Sequence, residues 1–248
     1  MKAFEITLNR YTGDEETVVL PDAITRIDES AFMNCRTLKE LVIPEGVTEI
    51  GKWAFSSCTN LAHVQLPSTL RFIGEGAFRD CAKLQFIDIP ESVATIGSRA
   101  FIRCRQLAHV TLPANLEQLG DHCFQNCISL AEIELPANLR SLDDAIFRNC
   151  TSLANVTLPD ELESIGTEVF EGCTSLATIA LPETLAWIGP RAFKGCTALE
   201  DIFIPDNVPS LESEAFADCT ELGAVRLPDG LDFCDETAFA NCPNLSDA

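Results

Sequence analysis

The sequence predicts an α/β solenoid, short coils stacked on one another with a parallel sheet along one side and short helical turns along another. Three observations carry this prediction. Phe recurs ten times at an interval of 23 residues without an insertion or deletion, at Phe32, Phe55, Phe78, Phe101, Phe124, Phe147, Phe170, Phe193, Phe216 and Phe239. Three residues after each comes Cys, at Cys35, Cys58, Cys81, Cys104, Cys127, Cys150, Cys173, Cys196, Cys219 and Cys242, and six after each comes Leu, from Leu38 to Leu245. Pro stands twelve residues after the first nine Phe, from Pro44 to Pro228, with Pro21 on the same grid upstream. A fixed period of this length marks a repeat array and decides the architecture before any single segment is read.

Composition agrees. With 248 residues, 46% apolar and 22% charged, the chain can bury a core and is far too hydrophobic for a disordered polymer. The inventory is skewed toward 15 Phe, 13 Pro and 12 Cys, and ten of the Pro and ten of the Cys fall on the repeat grid. No apolar run approaches the ~18 residues of a membrane span, so no membrane insertion is expected. The opening Lys2-Ala3-Phe4-Glu5-Ile6 alternates polar with apolar, unlike a secretory leader, and as written the chain is expected to be cytoplasmic. A net charge of −21, from 17 basic and 38 acidic side chains, opposes the phosphate neutralisation that nucleic-acid binding requires. Residues 151–248 hold 18 of the acidic side chains and 3 of the basic ones, a solvated surface that would also attract a cationic partner.

Within one coil, Leu61-Ala62-His63-Val64-Gln65-Leu66-Pro67 turns Val64 and Leu66 inward and His63 and Gln65 outward, the period of a half-buried strand. Pro67 ends that strand, having no amide for a further ladder bond. A second extended stretch closes on Ile73-Gly74, and Glu75-Gly76-Ala77-Phe78-Arg79-Asp80-Cys81 is expected to form the short helical turn. No coil of this length covers its own apolar face, so stability must come from each Phe and Leu resting on the next. Strands ~4.8 Å apart would give ten coils a length on the order of 45 Å.

The pattern Leu-x-x-[Val/Ile]-x-Leu-Pro-x-x-Leu-x-x-Ile-Gly-x-x-Ala-Phe-x-x-Cys resembles the 23-residue BspA-like leucine-rich repeat, the Treponema pallidum type, over nearly the whole chain. The resemblance implies a single right-handed leucine-rich-repeat solenoid over 1–248. Residues 1–30, with Tyr11-Thr12-Gly13 and Val18-Val19-Leu20-Pro21, would form an N-terminal hairpin or cap and a partial repeat, and 31–248 about ten repeats. It also implies adhesion or protein recognition, a bacterial surface or secreted setting if a leader has been trimmed, and no catalytic residues.

The Cys column invites a disulfide or metal reading, and its spacing argues against both. Equivalent points on successive coils hold their Cβ vectors parallel, which denies the roughly ±90° torsion of a disulfide. No C-x-x-C pair offers convergent zinc ligands. Free, buried thiols are expected, small apolar fillers whose S–H groups satisfy loop carbonyls. Cys123 and Cys234, off the grid, read as core substitutions. The ten Phe and ten Cys are thus structural, and neither metal nor cofactor is expected.

Outward strand positions are not dictated by the repeat, so they are where a partner would be recognised. The candidate site is His63, Gln65, Phe86, Asp88, His109, Glu132, Glu134, Asp201, Phe203 and Arg226 on the concave face. Phe86 and Phe203 are its candidate anchors, and His63, His109, Gln65 and Asp88 supply a polar rim around Phe86. The expected function is non-catalytic recognition of a protein or glycan. A structural spacer or scaffold assembling end to end is the alternative. An enzyme using His63, His109 and nearby carboxylates is a minor one, since the sequence shows no nucleophile elbow, phosphate loop or H-E-x-x-H. Arg71, Arg79, Lys83, Arg99, Arg103 and Arg105 fall in turn and loop slots and read as solubilising surface charge.

Overall fold

The computed structural model describes residues 6–245, in two compact units that divide after Cys127. A coil contributes a three-residue strand before its Pro, a two-residue strand before its Gly position, and a turn around its Phe. In the first unit the two-residue strands form one parallel sheet in chain order, Thr7–Leu8, Arg26–Ile27, Glu49–Ile50, Phe72–Ile73, Thr95–Ile96 and Gln118–Leu119. The three-residue strands form two parallel ladders, Thr17–Val19 with Glu40–Val42 and His63–Gln65, and Phe86–Asp88 with His109–Thr111. Apart from Thr7–Leu8, whose partners are Arg26–Ile27, partners lie 23 residues apart, as in Leu41↔Val64 and Ile50↔Ile73. The lead-in strands do not pair with each other. Thr7–Leu8 runs parallel to Arg26–Ile27 and Thr17–Val19 parallel to Glu40–Val42, so each starts a sheet.

The second unit repeats the plan with more interruptions. Glu132–Glu134 pairs with Asn155–Thr157 and Asp201–Phe203 with Ala224–Arg226. The intervening Thr178–Ala180, at the repeat position of these strands, carries no strand pairing, although Ile179 within it and Leu181 beside it stay buried. Among two-residue strands, Ser141–Leu142, Ser164–Ile165 and Trp187–Ile188 form one ladder and Ser210–Leu211 with Phe233–Cys234 another.

The expected helical turns are not formed: among the described residues there is no helix, and the segments around each Phe are linked turns. Around Phe55 the N–H groups alternate in direction. Ala54, Ser56 and Cys58 donate three residues back, to Gly51 (3.3 Å), Trp53 (3.0 Å) and Phe55 (3.1 Å). Trp53, Phe55 and Ser57 donate instead to the next coil, to Glu75 (2.8 Å), Ala77 (2.7 Å) and Arg79 (2.7 Å). An α-helix uses its N–H groups on its own carbonyls. Here every second one crosses to a neighbour, which adds a third inter-coil ladder. The alternation places the residues two before and two after Phe in the left-handed region, as at Trp53 (φ 52°) and Ser57 (φ 61°) or Arg99 (φ 58°) and Arg103 (φ 60°). The later slot carries the matching signal in Asn34, Asp80, Asn126, Asn149, Gly172, Gly195, Asp218 and Asn241, residue types that tolerate positive φ.

The core is a column of rings bordered by thiols. In the first unit Phe32, Phe55, Phe78, Phe101 and Phe124 stack at centroid separations of 5.0, 5.1, 5.4 and 5.4 Å. In the second, Phe147, Phe170, Phe193, Phe216 and Phe239 stack at 5.6, 5.2, 5.1 and 5.4 Å. Burying each ring is worth roughly 1.5–3 kcal/mol, and stacking adds about 0.5–1.5 kcal/mol per pair. Tyr11 covers the first ring, centroid to centroid 4.7 Å from Phe32, and donates its N–H to Ala31 O at 2.8 Å. Beside the rings, thiols of the Cys column donate back to a Phe carbonyl of the coil before, as in Cys58 to Phe32 (3.1 Å), Cys81 to Phe55 (3.2 Å), Cys104 to Phe78 (3.1 Å) and Cys196 to Phe170 (3.2 Å). None of the twelve Cys is in a disulfide, and nine of them are buried. Burial, with Cys242 alongside, pushes the Cys219 thiol up to about 12, and burial likewise raises Cys81, Cys173 and Cys196.

Close approach of coils also explains the Gly positions. A Cβ on Gly74 would lie 2.7 Å from the Gly51 carbonyl carbon and the Lys52 nitrogen, whereas one on Gly230 would meet nothing within 4 Å. Gly74→Ala should therefore lower the urea midpoint, at a cost of about 1–3 kcal/mol, while Gly230→Ala stays within about 0.5 kcal/mol of the parent. Equal effects of the two would contradict backbone contact at Gly74. Thiol reactivity gives a second check. In the folded protein the exposed Cys234 should react first with a thiol reagent, Cys35 and Cys242 more slowly, and the nine buried thiols should be protected until denaturant makes all twelve reactive.

Candidate functional site

The outward residues of the three-residue strands stand in two rows on each unit, because strand side chains alternate and partners are in register. In the first unit one row is Thr17, Glu40 and His63, continuing at Phe86 and His109; the other is Val19, Val42 and Gln65, then Asp88 and Thr111. Phe86 is 43% exposed and Val19 69%. The structure brings His63 and Phe86 together as a tilted ring pair, centroids 5.3 Å apart at 47°, and pairs His109 with Phe86 in strand register. Asp88 accepts a hydrogen bond from Thr111 Oγ1 at 3.0 Å, which fixes its carboxylate on the other row. The ladder is interrupted at this place, since no strand pairing joins His63–Gln65 to Phe86–Asp88 among the described residues.

In the second unit Glu132 and Glu134 face Asn155 and Thr157 in register, and Asp201 and Phe203 face Ala224 and Arg226. Arg226 lies over Phe203, its guanidinium carbon 4.3 Å from the ring centroid, a cation–π pair worth about 0.5–1 kcal/mol at an exposed site. Both residues are legible as outward in the sequence, but their mutual cover is not. It leaves Phe86 as the more open anchor, with Phe203 36% exposed.

Of the clustered basic residues of the first unit, Arg79, Arg99 and Arg103 lie in the Phe turns and are met by acids there. Asp80 receives Arg79 (3.1 Å) and Arg103 (3.3 Å), and Arg99 reaches Glu75 (3.9 Å) and Asp121 (3.5 Å). Such half-exposed pairs contribute roughly 0–1 kcal/mol each and offer no open cationic track. Among the described residues no group of three or more His, Cys, Asp or Glu is placed to hold a metal ion. No helix among them is long and apolar enough to cross a membrane.

Stacked parallel coils of this kind make a β-solenoid of the leucine-rich-repeat type. The sequence matches the BspA type leucine rich repeat region over residues 10–131 and 117–246, and the chain belongs to that family. It is similar to the leucine-rich repeat protein of T. pallidum, with 35% identity and a TM-score of 0.67 over 68% of this chain and 82% of that one. Two further structures share the fold. The pneumococcal vaccine antigen PcpA is 21% identical, with a TM-score of 0.63 over 92% of this chain and 66% of that one. A leucine-rich cell surface protein of Faecalibacterium prausnitzii is 22% identical, with a TM-score of 0.52 over 97% and 89%. No curated protein matches the sequence.

Proposed function

We propose that this protein is a non-catalytic recognition module that holds a protein or glycan against its three-residue-strand faces, with Phe86 as the principal anchor. The observation that carries this reading is an aromatic side chain 43% exposed on a strand at a break in the ladder, flanked by His63 in ring contact and by an Asp88 already oriented by Thr111. Rigid placement lowers the ordering cost of binding, and an aromatic ringed by polar groups is the usual form of a binding hot spot. On the second unit Glu132, Glu134, Asp201, Phe203 and Arg226 supply a more polar surface of the same kind. The family is one of repeat proteins often used in recognition or adhesion. A bacterial surface setting is supported by the description of the F. prausnitzii relative as a cell surface protein.

A screen against extracellular matrix proteins and a glycan array would supply the partner, and titration with Phe86→Ala would test the anchor. The substitution should weaken binding at least about tenfold and leave the melting temperature close to the parent's, because the side chain covers little of the core. Unaltered affinity would remove Phe86 from the site.

A further inference from the structure

A second surface, on the two-residue strands of the second unit, gathers features that the Phe86 face does not use. The outward residues there run Ser141, Ser164, Trp187, Ser210 and Phe233, with Trp187 39% and Phe233 53% exposed. Two coils separate these rings, ~10 Å at ordinary strand spacing, with only the small Ser210 between them. The neighbouring column is Arg140, Glu163, Ala186, Pro209 and Asp232, whose main chains are joined by Glu163 N to Arg140 O (2.7 Å), Ala186 N to Glu163 O (2.9 Å) and Asp232 N to Pro209 O (2.9 Å). At the one remaining step Pro209 has no N–H to give the Ala186 carbonyl, and the ladder parts there, between Trp187–Ile188 and Ser210–Leu211. The result is an exposed apolar stripe of Ala186, Trp187, Pro209 and Phe233, beside a main-chain acceptor deprived of its ladder donor.

The polar character of this stripe is one-sided. The Ala186 carbonyl accepts, the Ser210 hydroxyl between the rings spends its hydrogen on Glu212 Oε1 (3.0 Å), the exposed Asp232 is acidic, and the turns leading into these strands present Asp160, Glu183, Asp206 and Asp229, all exposed. Residues 128–248 carry 22 acidic and five basic side chains, and those five are engaged: Arg140 by Glu161 and Glu163, Arg148 by Glu168 and Glu171, Arg191 and Lys194 by Glu214, and Arg226 over Phe203. A neutral glycan calls for donors as well as acceptors. Aromatic faces with acceptors and carboxylates alone complement a cation. We propose that the stripe binds a basic peptide segment in the polyproline II conformation, two Arg or Lys side chains three residues apart lying over Trp187 and Phe233 while a peptide N–H meets the Ala186 carbonyl. Three residues make one turn of that helix, which returns the side chain to the same face after ~9 Å, close to the separation of the two rings.

The test uses a fluorescein-labelled (Arg-Ser-Gly)4 peptide and the whole protein, read by fluorescence anisotropy. Binding should weaken as salt is raised, should be absent for (Glu-Ser-Gly)4, and should fall about tenfold or more in Trp187→Ala/Phe233→Ala. Thr95→Ala, in the equivalent slot of the first unit, should leave it unchanged. Pro209→Ala restores an N–H opposite Ala186 and should weaken binding while the melting temperature holds or rises, an outcome loss of fold would not give. Undiminished binding to the Trp187→Ala/Phe233→Ala variant would show attraction to acidic surface alone and overturn the proposal. So would tighter binding of cellohexaose than of the Arg peptide, or equal binding of a peptide of the same composition with its four Arg contiguous.

Discussion

The main-chain carbonyl of each core Phe is the joint on which the structure depends. Phe32 O accepts the N–H of Cys35 at 3.0 Å from its own turn and the thiol of Cys58 at 3.1 Å from the coil above. One oxygen thereby closes a turn and fixes the height of the next. The ring attached to it stacks at 5.0 Å on Phe55, so ring and carbonyl set the same spacing by two different forces. An inserted residue between Phe32 and Cys58 would carry the thiol away from its acceptor and the following ring out of the stack. That geometry accounts for ten periods of 23 without an insertion or deletion. It also explains why stacked thiols such as Cys58, Cys81 and Cys104 form no disulfide: each is occupied with a carbonyl, not with another sulfur.

With spacing held at this seam, the strand sides can tolerate defects. Within the second unit the rings of Phe170, Phe193 and Phe216 stay 5.2 and 5.1 Å apart, while Thr178–Ala180 forms no ladder and Pro209 interrupts another. In the first unit the break between His63–Gln65 and Phe86–Asp88 lies beside continuous Phe stacking. Both surfaces argued to bind partners lie at such interruptions, Phe86 at one and the Trp187–Pro209–Phe233 stripe at another. A regular ladder consumes its donors and acceptors internally. Where it parts, groups become available to something else.

The period made most of this legible. Equivalent residues of identical coils occupy equivalent places, so Phe78, Cys81, Leu84, the inward Ile87 and the outward Phe86 and Asp88 could each be assigned from one alignment of the chain with itself. The turn around Phe was misread as helical because its apolar spacing suits a helical turn. The contrary signal, Asn, Asp or Gly two residues after Phe, is the mark of a left-handed residue and was present in the sequence.

Other features depended on a residue 23 positions away. Arg226 covers Phe203, Asp88 is held by Thr111, and Pro209 withholds a bond from Ala186. The sequence by itself determined which side chains are buried and which face outward, because that follows from periodicity within a coil. The tertiary structure alone decided which outward groups remain available, because a ladder bond or a side-chain cover belongs to two coils at once and is read from neither.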